Sequence, residues 1–311
     1  MNSDRPRPPK TPDASGALGN TADALHEKRA LGPLLDDEAA HAVLHRRSRR
    51  SFLVGAIAAV GGGFGLRWLL DPRRQGIFER TLVFNEIVGR QLFHAGSSAP
   101  EFPRSAAREP RVNGTEGMSD GFDPALWRLQ VTGLAAAPSF PQFARDLSYV
   151  GSVSSAVAEK FPATLAAGLQ LTLADIKALP RVEMITELKC IEGWSTVVQW
   201  AGARFSDFAA KYPPFASTAG AEKFPPYVSL VTPDRGYYVG WDAPSILHPQ
   251  TLLCYEMNGE PLALSHGGPL RLVTTTKYGI KQIKRIGRIA YTDQRPPDFW
   301  AEQGYDWYSG H

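Results

Sequence analysis

Short apolar runs separated by proline and glycine make up most of the chain from Asp71 onward. Runs that alternate with polar residues, or that are rich in β-branched and aromatic residues, predict strands, and one stretch that ends at a proline predicts a short capped helix. The predicted strands span 127–133, 181–188, 227–231, 236–241, 270–274 and 285–292, and the predicted helix spans 171–180. The pattern therefore predicts an α+β fold with much β-sheet and long loops.

The segment after residue 276 combines basic and apolar positions. Isoleucines recur at every third position from 280 to 289, which fits neither a helix nor a strand and predicts a loop that leads into a strand. The basic residues of this segment, taken alone, favour a solvated charged face. They are Lys277, Lys281, Lys284 and Arg285.

The first part of the chain has a different composition. Residues 1–47 are rich in polar residues, proline and alanine and too poor in large apolar side chains to offset the entropy of ordering, which predicts a disordered leader with at most a helical turn near 34–45. The globular domain is therefore expected to span 71–311.

Between these two parts lies a segment, 48–70, with the features of an export signal. Arg49 and Arg50 precede Phe52, Leu53 and a Gly/Ala-rich apolar run, a pattern that resembles a twin-arginine signal and implies export of the folded chain to the periplasm. A membrane helix is the alternative, but the uncharged stretch 51–66 is shorter than the ~20 residues that cross a bilayer. Because no convincing small-x-small cleavage site follows, an uncleaved signal that tethers the protein to the inner membrane stays open.

Composition limits the functions that the chain can have. The 34 basic and 31 acidic residues leave a net charge of +3, which gives little support to a nucleic-acid partner. Two cysteines far apart in the sequence provide neither a disulfide framework nor a CxxC site, and the chain contains no CxxCH haem motif and no GxGxxG turn after a strand. Any thiol chemistry therefore depends on a single sulfur atom.

Cys190 is the cysteine placed for chemistry. It follows a strand-like run and enters a loop that contains Gly193, a position where a side chain is held rigidly yet reaches a ligand. Taken alone, such a cysteine is more often a small buried apolar residue, which is also the interpretation of Cys254 between Leu253 and Tyr255.

The sequence around Cys190 and four later motifs resembles a known family. The motifs are Cys190-Ile-Glu-Gly-Trp-Ser195 with Trp200-Ala-Gly202, Tyr255-Glu-Met-Asn-Gly-Glu-Pro-Leu262, His266-Gly-Gly-Pro-Leu-Arg-Leu272, Lys277-Tyr-Gly-Ile-Lys-Gln-Ile-Lys284 and Thr292-Asp-Gln-Arg-Pro-Pro297. Their order and spacing resemble the sulfite-oxidase-like molybdopterin-dependent oxidoreductases, in particular the periplasmic protein-methionine-sulfoxide reductases. The resemblance covers most of residues 80–311 and implies the catalytic-domain fold of that family and a molybdenum-molybdopterin cofactor.

The resemblance also implies roles for individual residues. Cys190 takes the position of the thiolate ligand to molybdenum, and Arg271 that of an arginine on the anionic tail of the cofactor, where a guanidinium suits phosphate. Further cofactor contacts are implied for Thr232, His266, Gln282, Ile283 and Lys284, and near the start of the domain for Asn85, Val88 and Gly89, with His94 as a competing contact. If the resemblance is set aside, His266 is interpreted as a loop histidine with ordinary hydrogen-bond partners, and Arg271 as a surface residue paired with a carboxylate.

The residues beside Cys190 bear on the reaction. Sulfite-oxidising relatives have arginines directly after the cysteine, because a dianion needs a cationic pocket. This chain has Ile191, Glu192 and Gly193 there, which favours oxygen-atom transfer from a neutral S-oxide, with Arg235 as a residue that could restore a sulfite site. Sulfite oxidation by the same cofactor, and a non-catalytic periplasmic binding protein that kept the fold, remain as alternatives.

Protons and electrons must also reach the site. Glu192 and Tyr237 are candidate proton donors. The chain has no haem or iron-sulfur motif, so we expect a separate electron donor, a membrane haem or quinone-linked protein as in the similar reductases, and a small-molecule or protein-bound oxide as substrate. The aromatic residues near the C-terminus, Trp300, Tyr305, Trp307 and Tyr308, are expected to pack in the core, with a docking surface as the alternative.

Overall fold

A computed structural model describes residues 35–39, 42, 75–133, 144–145, 168–214 and 224–311. Residues 37–39 and 42 are helical, in agreement with the turn predicted near 34–45. The rest of the predicted leader, and the whole of the twin-arginine segment 48–70, lie outside the described residues. Over the part of the chain that is described, no helix is both long enough and apolar enough to cross a membrane.

In the described residues from Gln75 onward, helices are few, and those after the first one are short. They are α1 (Gln75–Leu92), α2 (Leu173–Lys177), α3 (Phe205–Lys211), α4 (Ala243–Ile246) and α5 (Phe299–Glu302). The strands are β1 (Leu129–Thr132), β2 (Ala144–Arg145), β3 (Gly168–Leu171), β4 (Arg181–Lys189), β5 (Ser195–Arg204), β6 (Tyr227–Val231), β7 (Tyr238–Asp242), β8 (Leu252–Met257), β9 (Glu260–Pro261), β10 (Arg271–Val273) and β11 (Arg288–Thr292). The fold is α+β with much sheet, as predicted.

The described strands form two sheets. One has the order β2-β3-β1-β11-β6-β7, in which β1 and β11 are parallel and the other neighbours are antiparallel. The other has the order β10-β8-β5-β4, is antiparallel throughout, and carries β9 on β8. Because β1 pairs with β11, the start and the end of the domain close into one sheet.

Apolar side chains of the two sheets, together with those of the short helices and loops between them, form the core. A large cluster joins Leu129 and Val131 of β1 with Trp241 of β7 and Ile289 of β11, and a second cluster on the sheet that contains β5 includes Trp200. Cys254 belongs to this second cluster and is fully buried, so its assignment to the core is confirmed.

Local sequence signals explain several elements. Thr172 caps α2, accepting a hydrogen bond from the Asp175 N–H while the Asp175 carboxylate accepts one from the Thr172 N–H, and the helix ends before Pro180. The isoleucine-rich stretch forms a 3₁₀ turn over Gly279–Lys281 and then a loop into β11, as predicted.

The solvated face predicted from the basic residues alone is wrong. Lys277 and Lys281 are 1% and 0% exposed. Lys277 Nζ lies 3.1 Å from Asp242 Oδ1, and Lys281 Nζ lies 2.5 Å from Asp298 Oδ2. Each ammonium also donates to a backbone carbonyl near the C-terminus, Lys277 to Tyr308 O and Lys281 to Trp307 O. These contacts therefore hold the segment around Trp307 and Tyr308 against the core.

Candidate active site

The hairpin of β4 and β5 places Cys190. The two strands pair without interruption from Arg181 with Ala203 to Lys189 with Ser195, and a tight loop joins them. In that loop the Cys190 N–H donates to Trp194 O at 2.9 Å, and Gly193 has a φ of 86°, which side-chain-bearing residues rarely adopt. Cys190 is thus held at the end of a long rigid hairpin.

The Cys190 side chain is half-buried and lines a cavity of about 320 Å³. Burial raises the pKa of its thiol, and a hydrogen bond from the Glu192 backbone opposes that shift. A cation bound at the sulfur would favour the thiolate, since nearby positive charge stabilises the ionised form.

A loop of 113–117 forms a second wall of this cavity. Asn113 Nδ2 donates to Cys190 Sγ at 4.0 Å, and Gly114 and Glu116 also line the cavity. Lys284 Nζ donates to the Asn113 carbonyl. This loop was not among the predicted site residues, although its Asn-Gly-Thr-Glu-Gly composition is typical of a turn that brings polar groups to a ligand.

Two cations lie at the cavity, the buried Arg271 and the partly buried Lys284. Arg271, at the start of β10, donates to His266 O at 3.0 Å, and its guanidinium lies 4.9 Å from the centre of the Trp200 ring. Burial lowers the pKa of Arg271 to about 10 and, assisted by the charge of Arg271, lowers that of Lys284 to about 8. Both cations therefore favour a bound anion, which would offset the cost of burying them.

Some polar atoms at this site lack partners. Among the described residues, Arg271 Nε and Gln282 Oε1 are buried without a hydrogen bond, although Gln282 Nε2 donates to Thr274 O at 3.0 Å and to Lys277 O at 3.2 Å. Buried polar atoms are usually satisfied, so unpaired ones beside a cavity indicate a ligand.

Aromatic side chains complete the lining. They are Trp194, Tyr237, Trp300 and Tyr305. The Tyr237 hydroxyl donates to Ile280 O at 2.5 Å, and burial, with the Asp298 carboxylate as a second cause, raises the pKa of Tyr237 well above its ordinary value. In this geometry the Tyr237 proton is committed to a carbonyl, which makes Tyr237 a poor proton donor, whereas the exposed Glu192 also lines the cavity.

The other residues implied by the resemblance lie at varying distances from this cavity. Ile283 is in the large core cluster. The buried His266 ring lies 3.2 Å from Glu109 Oε1, and its carbonyl supports Arg271. The Thr232 hydroxyl donates to Asp234 Oδ1 at 2.7 Å and accepts from the Tyr237 N–H at 3.0 Å. These three residues support the cavity and do not line it.

The residues predicted near the start of the domain are on α1, away from the cavity lining. The Asn85 side chain is exposed, and Gly89 lies against the Tyr308 ring. Val88 is partly buried on the same helix, and His94, which follows it, lines a different cavity. The structure brings Asn113 to Cys190, and it does not bring Asn85 there. Arg235 likewise lines another cavity, with Arg288.

The residues present fit a molybdopterin cofactor. No group of three or more metal-binding side chains occurs among the described residues, and a single thiolate suits a metal that brings its own sulfur ligands. Arg271 and Lys284 suit the cofactor phosphate, and the unpaired Arg271 Nε and Gln282 Oε1 offer a donor and an acceptor to the pterin side. Cys190, Arg271, Gln282 and Lys284, predicted from the sequence, meet at one cavity.

Comparisons with known proteins agree with this chemistry. Residues 162–300 match the family described as the oxidoreductase molybdopterin binding domain. A putative protein-methionine-sulfoxide reductase subunit, YedZ1, of Azospira oryzae is 30% identical over 230 residues, which are 73% of this chain and 73% of that protein.

Shorter matches extend to other named relatives. The protein-methionine-sulfoxide reductase catalytic subunit MsrP of Ralstonia nicotianae is 34% identical over 145 residues, 43% of this chain and 44% of that protein. MsrP of Campylobacter jejuni is 35% identical over 153 residues, 45% of this chain and 52% of that protein. Among solved structures, the sulfane dehydrogenase SoxCD of Paracoccus pantotrophus is 16% identical with a TM-score of 0.39, covering 56% of this chain and 40% of that one. The chain thus spans about half the length of the MsrP relatives that it matches.

Proposed function

Because the chain belongs to the molybdopterin-binding oxidoreductase family, we propose that it reduces methyl sulfoxides of the methionine-sulfoxide type to thioethers. Each turnover takes two electrons and two protons and releases one water. The observation that carries the proposal is the lining of the Cys190 cavity, where Ile191, Glu192 and aromatic rings stand beside the cysteine and Arg235 lines a different cavity. With Arg271 and Lys284 assigned to the cofactor phosphate, a neutral oxide fits the rest of this lining better than a sulfite dianion, which requires cations at the reacting atom. The names of the relatives from Azospira and Ralstonia support the same substrate class.

The protein residues and the cofactor have separate roles in the proposed reaction. When bound, molybdenum-molybdopterin supplies two-electron oxygen-atom transfer, with Cys190 as the protein ligand to the metal. Asn113 orients the Cys190 sulfur through its amide, and Arg271 and Lys284 hold the cofactor phosphate. Glu192 stands at the cavity as the carboxyl group that can pass protons to the departing oxygen.

Electrons come from a separate protein. The relatives are named as subunits, and MsrP as a catalytic subunit, which supports a division between catalysis and electron supply. We infer that the donor is a membrane haem or quinone-linked protein. Right-side-out membrane vesicles from a host that expresses the donor, with the purified holoenzyme added outside, should support sulfoxide reduction with quinol as reductant, and vesicles without the donor should not. Turnover with quinol in the absence of any membrane protein would contradict this assignment.

Export through the twin-arginine route, with residence in the periplasm, is part of the proposal. It is supported by Arg49 and Arg50 ahead of the Gly/Ala-rich run. Replacing both arginines with lysine should keep the folded protein in the cytoplasm while its molybdenum content is retained. Fractionation also tests tethering, because an uncleaved signal leaves the full-length chain with the inner membrane. Unchanged periplasmic delivery of the double variant would refute the route.

A pair of dye-coupled assays tests the reaction. Purified holoenzyme with reduced viologen should oxidise the dye when methionine sulfoxide is added, and with ferricyanide it should not oxidise sulfite at a comparable rate. Cys190→Ser should abolish sulfoxide turnover because the metal loses its thiolate. Turnover of sulfite without turnover of sulfoxide would establish the alternative, sulfite oxidation. Native protein that carries no molybdenum would instead favour a binding protein that kept the fold.

A further inference from the structure

The C-terminal segment brings two aromatic rings to the Cys190 cavity. Trp300 is on α5 and Tyr305 follows it by one turn, and both side chains line the cavity. The Tyr305 N–H donates to Trp300 O at 3.0 Å, and the two ring centres are 5.2 Å apart at an interplanar angle of 76°. Edge-to-face geometry of this kind is a preferred arrangement of aromatic pairs. The pair, here called the aromatic wall, is thus a single packed unit.

The aromatic wall is held from behind by ring packing and by polar contacts. The Trp300 ring packs edge-to-face on Phe299, with ring centres 5.3 Å apart, and Phe299 packs on Tyr237, whose hydroxyl donates to Ile280 O. Asp298 caps α5 by accepting from the Ala301 N–H at 3.2 Å, and the same carboxylate receives the buried Lys281 ammonium. Because Tyr237, Asp298 and Lys281 are buried, the Trp300 ring is held in place before any substrate arrives, which lowers the entropy lost on binding.

A third ring reaches the cavity from the β4–β5 loop. The Trp194 indole donates to Glu192 Oε2 at 2.8 Å, which fixes it on the same loop as Cys190. Tyr305 is 44% exposed, so it marks the open side of the cavity, whereas Tyr237 is buried. A substrate that approaches the Cys190 sulfur from solvent therefore passes aromatic faces.

We propose that Trp300 and Tyr305, together with Trp194, bind the methyl and sulfur end of the substrate and make the enzyme selective for methyl thioether S-oxides. This inference rests on the proposed function and adds the residues that choose the substrate. The methyl group beside an S–O bond is electron-poor and the sulfur is polarisable, and both interact favourably with aromatic rings. An oxyanion is repelled by the negative ring face, so the same wall disfavours sulfite. The reaction served is R–S(O)–CH₃ with two electrons and two protons giving R–S–CH₃ and water.

Tyr305 is well suited to a test by substitution because its side chain is partly exposed. Phenylalanine at this position removes the hydroxyl and keeps the ring, whereas alanine removes both. Tyr305→Ala should raise the KM of the holoenzyme for methionine sulfoxide about tenfold, the loss of one aromatic contact, with most of the change in KM and little in kcat. Tyr305→Phe keeps the ring and should stay within about twofold of wild type. Val83→Ala, on the exposed face of α1, serves as a control for substitution itself.

A binding measurement separates this inference from the proposed function. Methionine sulfone cannot be reduced by this two-electron step, and calorimetry should show its affinity for the oxidised holoenzyme falling about tenfold in Tyr305→Ala and being retained in Tyr305→Phe. Trp300→Leu should give the same loss if the wall acts as a unit. Unchanged KM and unchanged sulfone affinity in Tyr305→Ala would overturn the inference while sulfoxide turnover by wild type still supports the proposed function. If the enzyme does not turn over sulfoxide but its affinity for the sulfone depends on Tyr305, the binding role of the aromatic wall is supported and the proposed reaction is contradicted.

Discussion

Gly117 closes the loop that carries Asn113 and Glu116 into the cavity, and replacing it with alanine should dislodge that loop. Its φ is +70°, and an alanine Cβ would lie 2.5 Å from Thr232 Cγ2, 2.6 Å from Thr232 Oγ1 and 2.8 Å from Tyr237 Cβ. Thr232 cannot turn away without losing its hydrogen bonds to Asp234 and to the Tyr237 backbone. The loop must move instead.

The expected cost has two parts. Holding alanine at positive φ costs about 1–2 kcal/mol, and forcing a methyl group into a packed region costs about 1–3 kcal/mol more. Gly121→Ala is the matched control, because Gly121 has a φ of +78° and no atom within 4 Å of the added Cβ. The control should therefore lose only the stability that a positive φ costs alanine. The difference in unfolding free energy between the two variants then measures how tightly the loop packs on Thr232 and Tyr237.

Urea unfolding of the cofactor-free protein measures the free energy of unfolding of each variant. Metal analysis of the holoenzyme measures how much molybdenum each variant retains. Gly117→Ala should lose more stability than Gly121→Ala by about 1–3 kcal/mol and should purify with less molybdenum per chain, since Asn113 no longer meets Cys190. Equal free energies of unfolding for the two variants, with full molybdenum content, would refute the packing of this loop against Thr232.

Three further perturbations address the buried cations and the hairpin. Arg271→Lys should lower the molybdenum retained after dialysis about tenfold, because an ammonium cannot replace the two-pronged contact of a guanidinium with phosphate, and full retention would contradict that role. In the cofactor-free protein the pKa of Lys284 is about 8 when folded against 10.5 ordinarily, so between these values the unfolded chain holds a proton that the folded chain has lost and stability rises with pH. Urea midpoints measured across that range should rise more steeply for wild type than for Lys284→Met, and parallel curves would disprove the shift. Gly202→Ala, whose Cβ would lie 2.1 Å from Leu253 O at the bulge between β5 and β8, should lower the yield of folded protein or its melting temperature far more than Gly96→Ala, where the space is open.

Much of the sheet could be predicted from the sequence because its signals are local. The predicted strand 227–231 coincides with β6, and the predicted strand 181–188 differs from β4 by one residue. Alternation of buried Val182 and Met184 with exposed neighbours gives the period of two that identifies β4. Cys190 was identified differently, because its proposed role as metal ligand rests on the resemblance of a contiguous motif to a known family.

The missed parts of the site depend on contacts between distant segments. Asn113 is 77 residues from Cys190, and Lys284 is 171 residues from Asn113, so no local pattern connects them. Asn85 matches the family motif in residue type, and the structure places it on the exposed face of α1, away from the lining of the Cys190 cavity. The burial of Lys277 and Lys281 also escaped prediction, because charge alone does not reveal a carboxylate supplied by β7 or by the residue before α5.

Because charged and polar groups are buried at the site, binding of the cofactor is expected to stabilise the folded protein. Arg271 is buried and Lys284 is partly buried, both with lowered pKa values, and Arg271 Nε and Gln282 Oε1 have no partner among the described residues, so the cofactor-free protein bears an uncompensated cost in free energy at this site. An anionic cofactor that binds the folded state and not the unfolded one offsets this cost and stabilises the fold in proportion to its affinity. Loaded protein should therefore unfold at higher temperature than cofactor-free protein, and Arg271→Lys should narrow that gap by weakening the loaded form. A transport route that accepts folded chains would then favour the loaded enzyme, which makes cofactor insertion in the cytoplasm the step that precedes the proposed export.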